Sequence, residues 1–105
     1  MAKGKSITGA THVWSAAAWW PDSDPSMQAV ALTAKRAESA LDKLMKESAR
    51  YASDTGSYRS AAAAYRDIAS TGAHPFALKD LASSRELDEA IQSIENDGVW
   101  YPPGR

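Results

Sequence analysis

The sequence predicts an all-α protein: a long helical hairpin plus a shorter C-terminal helix, with extended aromatic N- and C-terminal arms. Three patterns predict it. Apolar and small residues recur in steps of three and four from Met27 to Tyr51, the turn-forming run Asp54-Thr55-Gly56-Ser57 interrupts them, and Ser83 stands three residues before Glu86 at the head of a second apolar stripe. The predicted organisation is an arm over 1–24, a helical domain over 25–98 and a tail over 99–105. At 105 residues, 44% of them hydrophobic, the chain has enough apolar material for one modest core.

Residues 1–24 show no sustained periodicity and are punctuated by Gly4, Gly9 and Pro21, with Trp14, Trp19 and Trp20 crowded into seven positions. The segment reads as an extended arm carrying an aromatic anchor. At Asp24-Pro25 the pattern changes. Asp is a good N-cap, and Pro is favoured at the first helical position, where its missing N–H is not needed.

A helix from 25 to about 53, about 43 Å long at 1.5 Å per residue, would align Met27, Val30, Ala34, Ala37, Leu41, Leu44, Ser48 and Tyr51 on one seam. The small residues at 34 and 37 would let a second backbone approach closely, so the seam suits a neighbouring helix. Gly56 is placed to end this helix and Ser57 to cap the next. The alternative, one very long helix with Gly56 inside it, costs about 1 kcal/mol relative to Ala, and the hairpin is the simpler reading.

The second helix, about 58–70, would turn Tyr58, Ala61, Ala62, Tyr65, Ile68 and Ala69 inward and stop at Thr71-Gly72. His74-Pro75 breaks the chain, and Phe76, Leu78 and Leu81 suggest a short helical turn. Ser83 and Glu86 match the capping box, in which each side chain satisfies the other residue's backbone donor. Leu87, Ala90, Ile91 and Ile94 then form a narrow apolar face that ends at Asn96-Asp97-Gly98. The paired prolines of Val99-Trp100-Tyr101-Pro102-Pro103 favour an extended tail.

Composition narrows the function. Without cysteine, and with only His12 and His74, the chain offers no thiolate site and no compact zinc ligand set. The glycines form neither a phosphate-cradling loop nor a dinucleotide fingerprint, and neither histidine has a nucleophile and acid at triad spacing. The carboxylates Glu86, Asp88, Glu89, Glu95 and Asp97 read as a solvated face. The expectation is therefore no enzyme, no catalytic residue, no metal and no cofactor. The run from Val13 to Trp20 is too short and aromatic for a signal peptide, and no segment approaches membrane-spanning length, so the expected location is cytoplasmic.

The net charge is −1, with seven Lys/Arg against five Asp/Glu over 25–70 and three against six over 71–105. The acidic last third argues against nucleic-acid binding. Two constellations remain. Trp14, Trp19, Trp20, Trp100 and Tyr101 hold most of the aromatic area and suit a protein partner or a second copy. Arg50-Tyr51, Tyr58-Arg59 and Tyr65-Arg66 repeat a Tyr/Arg pairing that suits a small anionic, nucleotide-like ligand. Read more plainly, those tyrosines are core and those arginines a solvated face. The leading expectation is a non-enzymatic interaction or assembly protein that self-associates through the helical seam and the aromatic arms. A sequestering protein for an anionic ligand and an inhibitor of a partner protein are the alternatives.

Overall fold

Val13, Trp14 and the alanines after them form a strand, and the expected all-α architecture gives way to an α+β one. The computed structural model describes residues 7–21 and 23–102. Strands β1 (His12–Trp20) and β2 (Ser23–Ala31) form an antiparallel hairpin, followed by helices α1 (Ala34–Asp54) and α2 (Ala61–Asp67). Short strands β3 (Ala69–Ser70) and β4 (His74–Ala77), a 3₁₀ turn (Leu78–Asp80), helix α3 (Leu87–Asp97) and strand β5 (Val99–Trp100) complete the order.

The sheet runs β3-β1-β2-β5, with β4 also on the β3 side of β1. Ala18 pairs with Ser70 and Ser15 with His74, so three steps on β1 face four on its neighbour. The mismatch is absorbed near Thr71, whose N–H still reaches the Ala17 carbonyl at 2.9 Å.

Alternation along the hairpin feeds two hydrophobic layers. Ala16 and Ala18 of β1 and Ala29 and Ala31 of β2, all fully buried, face Ala37, Ala40, Leu41, Met45 and Ala49 of α1 and Ala64 of α2. Alanines on both sides let the helix lie close to the sheet, with Leu41 and Met45 filling the wider spaces. On the other face, Val13, Val30 and Trp100 pack with Leu78, Ala82, Ala90 and Ile94. Burying each of the larger side chains contributes about 1.5–3 kcal/mol.

A strand covered on both faces is apolar throughout and shows no alternation in sequence. Burial here overrides the helical preference of Ala16-Ala17-Ala18, which is why residues 12–20 are not an arm. The residues before 7 lie outside the described part of the chain. The tail starts extended, as expected, but as a paired strand and not a free arm: Val99 and Trp100 pair with Ala31 and Val30, and residues 103–105 lie outside the described part of the chain.

The first helix begins at Ala34 rather than at 25. Thr33 caps it, its Oγ1 accepting from the Arg36 N–H at 3.2 Å. Met27 and Val30, expected on one helical seam, point to opposite faces of β2, because their partners Ala18 and Ser15 belong to opposite layers. The second helix is a seven-residue segment capped by Ser60. The hairpin of long helices is therefore replaced by one long helix and a short companion lying on a sheet. The capping box forms as expected, with Ser83 N–H donating to Glu86 Oε1 at 3.0 Å and Glu86 N–H to Ser83 Oγ at 3.2 Å. Gly98, at φ 83°, then ends α3.

Pro75 in the edge strand β4 carries no backbone donor, which discourages edge-to-edge pairing there. Among the described residues, no helix is long and apolar enough to cross a membrane.

Candidate functional site: an aromatic cleft at the hairpin tip

The two ends that build this site are a bulged strand and a helix terminus. Register along β1–β2 shifts between Ala18 and Trp20, so that Trp20 pairs with Ser23. A bulge of this kind re-aims the side chain beside it. The Trp20 indole turns toward the helix layer, where its Nε1–H donates to Ser48 Oγ of α1 at 3.1 Å.

Opposite it, α1 ends in a Schellman motif. The N–H of Gly56 (φ 87°) reaches the Ser53 carbonyl at 3.1 Å and the N–H of Ser57 reaches that of Ala52 at 3.0 Å. Only a residue tolerant of positive φ closes the helix in this way. The closure brings Ser57 and Tyr58 back toward Trp20. The Tyr58 ring stacks on the indole with centroids 5.5 Å apart and planes at 30°, in the range of favourable aromatic pairs. Its hydroxyl donates to Asp67 Oδ2 at 2.6 Å, tying the loop to the end of α2.

Between these parts lies an open cleft of about 250 Å³. Trp20, Tyr58 and Tyr51 supply its rings, Ser48, Thr55 and Ser57 its hydroxyls, and Pro21 and Ala52 the remaining wall. Tyr51 is 71% exposed. Among the described residues no charged side chain lines the cleft, which offers flat apolar faces and hydroxyl hydrogen bonds.

A second depression of about 350 Å³ lies between α1 and α2, floored by Ala49, Ala61, Ala62 and Tyr65, with Lys46 and Arg66 at its rim. Beside it, the Tyr65 hydroxyl donates to Asp42 Oδ1, and Lys46 Nζ stands 3.0 Å from Asp42 Oδ2. The Tyr65 hydrogen bond, seconded by Lys46, holds the Asp42 carboxyl below its ordinary range. The same hydrogen bond pushes the Tyr65 phenol up, and Asp42 pushes the Lys46 ammonium up. Lys46 is thus already matched with a carboxylate.

The expected Tyr/Arg set is divided. Tyr51 and Tyr58 meet in the aromatic cleft and Tyr65 and Arg66 line the second depression, while Arg50 and Arg59 are exposed and line neither. The expected aromatic set divides too. Trp100 is 1% exposed and its indole N–H has no hydrogen-bond partner among the described residues. Trp14 packs half-buried against the α1 layer, and Trp19 and Tyr101 are partly exposed, away from the cleft. Of the five, only Trp20 enters the cleft.

Sequence reasoning missed Pro21, Ser48, Thr55 and Ser57. Ser48 counted as a seam position, and Thr55 and Ser57 as turn formers. Gly56 between two hydroxyl residues, followed at once by an aromatic, was the available signal. Among the described residues, no group of three or more metal-ligating side chains comes together. Comparison with known proteins finds no matching family model, no matching curated protein and no matching solved structure.

Proposed function

We propose that this chain is a non-enzymatic protein-interaction module, and that the cleft of Trp20, Tyr51 and Tyr58 receives a segment of a partner polypeptide. The observation that carries this reading is the aromatic lining, with the exposed Tyr51 ring beside the stacked Trp20–Tyr58 pair. Tyr and Trp are the residues that most often anchor interfaces, because they bring large contact area at low conformational cost. The hydroxyls of Ser48, Thr55 and Ser57 suit the backbone groups of an extended peptide. Self-association through the helical seam loses its basis, since Ala37 and Leu41 are buried against the chain's own sheet.

A small anionic ligand has a weaker claim. The depression carrying Arg66 has an apolar floor that suits an amphiphilic anion, but its other cation, Lys46, is engaged by Asp42. An inhibitor of a partner protein would use the same aromatic cleft.

Selection from a random peptide display library, with a Tyr51→Ser variant as the counter-screen, tests the proposal. Enriched peptides should bind the native protein and lose about 30-fold in affinity against the variant, as expected on removing an interface hot spot. Absence of Tyr51-dependent peptides, with thermal stabilisation by nucleotides or phosphorylated metabolites instead, would overturn it.

A further inference from the structure

We infer that the segment suited to the cleft is a proline-rich stretch followed by arginine, and that the chain supplies one itself, in residues 101–105 of a second copy. This rests on the cleft being a peptide site. Proline-rich segments dock on aromatic-lined grooves because their extended conformation is largely preformed and little order is lost on binding. The cleft's three rings and uncharged hydroxyls match that chemistry.

Charge supports the same occupant. At 100° per residue along α1, Glu47 and Asp54 lie about 40° and 60° from Tyr51 on its exposed side, and Arg50 lies further round at about 100°. The last turn of α1 contains no basic residue. Its carbonyl end is the negative pole of the helix and favours a cation. The outer rim beside Tyr51 thus holds two carboxylates and, next to them, one guanidinium, a net negative charge, and the sequence Tyr101-Pro102-Pro103-Gly104-Arg105 brings an arginine two residues after its prolines.

On its own chain Pro102 starts far from the cleft. Trp100 pairs with Val30, whereas Trp20 pairs with Ser23, seven residues away along β2, about 24 Å at 3.4 Å per residue, and Pro102 follows Trp100 by only two residues. A second copy is therefore the source of the occupant. Tyr101 is 44% exposed and available to it.

A fluorescein-labelled peptide of residues 98–105, acetylated and amidated, would be titrated with the full-length protein and read by polarisation. Saturable binding is expected, weakened about 30-fold by Tyr51→Ser in the protein and by Pro102→Ala with Pro103→Ala in the peptide. Arg105→Glu should weaken it further at low salt, with the difference closing at 1 M, where screening shortens to about 3 Å. Ser57→Phe, at an exposed loop position, should block the cleft without touching a core residue. In light scattering, the full-length protein should gain mass with concentration, and Tyr51→Ser should not. No binding of the peptide, or equal binding to Tyr51→Ser, overturns the inference. If display yields Tyr51-dependent peptides while residues 98–105 fail, the tail alone is wrong; if neither binds, the interaction-module reading falls as well.

Discussion

Two adjacent alanines on β1 give the sharpest test of the layered fold. Ala16 is fully buried opposite Ala29, under α1, whereas Ala17 is partly exposed opposite Gln28 on the other face, away from the core residues covered by α3. Leucine at either position adds three carbons. At 16 they must enter a contact where alanines meet alanines, and overpacking of this kind costs about 1–3 kcal/mol. At 17 they lie on a partly open face, where the change should stay within about 0.5 kcal/mol. The expected difference is about 2 kcal/mol. With a urea m-value of about 2 kcal/mol/M, Ala16→Leu should unfold about 1 M earlier than Ala17→Leu. Urea titration followed by far-ultraviolet circular dichroism and by tryptophan fluorescence would read it. Equal midpoints for the two variants, or a larger loss at 17, would refute the assignment of residues 12–20 to a central strand.

Leu78, the first residue of the 3₁₀ turn and fully buried in the second core layer, should cost about 2–5 kcal/mol when replaced by Ala, measured as a midpoint shift with unchanged m. Gly98→Ala should lose about 1–2 kcal/mol from the left-handed backbone. Its new Cβ would stand 2.0 Å from Arg36 Nη1, the end of a flexible side chain that can move away, so Gly56→Ala, which has open space at φ 87°, should cost about the same by urea titration. The Asp42 carboxyl is held below its ordinary value of 3.8 by Tyr65 and Lys46. Its stabilising effect is therefore complete above that value and fades as pH falls through the lower native one. The stability gap between native protein and Asp42→Asn should be constant near neutrality and close in acid; a gap independent of pH would contradict the pairing.

Local signals were legible in the sequence and long-range ones were not. The Ser83–Glu86 box, the stop at Gly98 and the break at Gly56 are governed by neighbours within one or two turns, and each appears in the structure. Of the α1 positions in the stripe read from Met27 to Tyr51 only Ala37 and Leu41 are buried, and Ala40, Met45 and Ala49 complete the inner face of α1 in place of Leu44, Ser48 and Tyr51. The strands were misread because their cause is non-local. Ala16, Ala18, Ala29 and Ala31 favour helix by propensity, and β2 contributes only Val30 as a β-branched residue. Strand pairing and cover from α1 and α2 decide their conformation. Period-two alternation vanishes when both faces are buried, and Met27-Gln28-Ala29-Val30 then passes for the first turn of a helix. Asp24-Pro25 reads as a helix start because Asp caps and Pro opens helices, yet β2 runs through both residues.

The candidate site was half legible for the same reason. Tyr51 and Tyr58 stood out by their spacing, and Trp20 by its aromatic neighbours, but they were assigned to two different sites. Only the return of β1 to the C-terminal end of α1, some thirty residues later, joins them. The arginines beside the tyrosines drew attention to an anion. Helical geometry turns Arg50 about 100° away from Tyr51, and among the described residues none with a charge lines the cleft.

The central claim is that a polypeptide binds at Trp20, Tyr51 and Tyr58. It is tested most directly by the four tryptophan indole N–H resonances in a ¹H–¹⁵N spectrum as a binding peptide is added. The account predicts that the Trp20 signal, whose N–H is bonded to Ser48 within the cleft, shifts with saturation while the buried Trp100 signal stays fixed, and that Tyr51→Ser removes the effect. Saturable shifts at Trp14, Trp19 or Trp100 with Trp20 unmoved would contradict it.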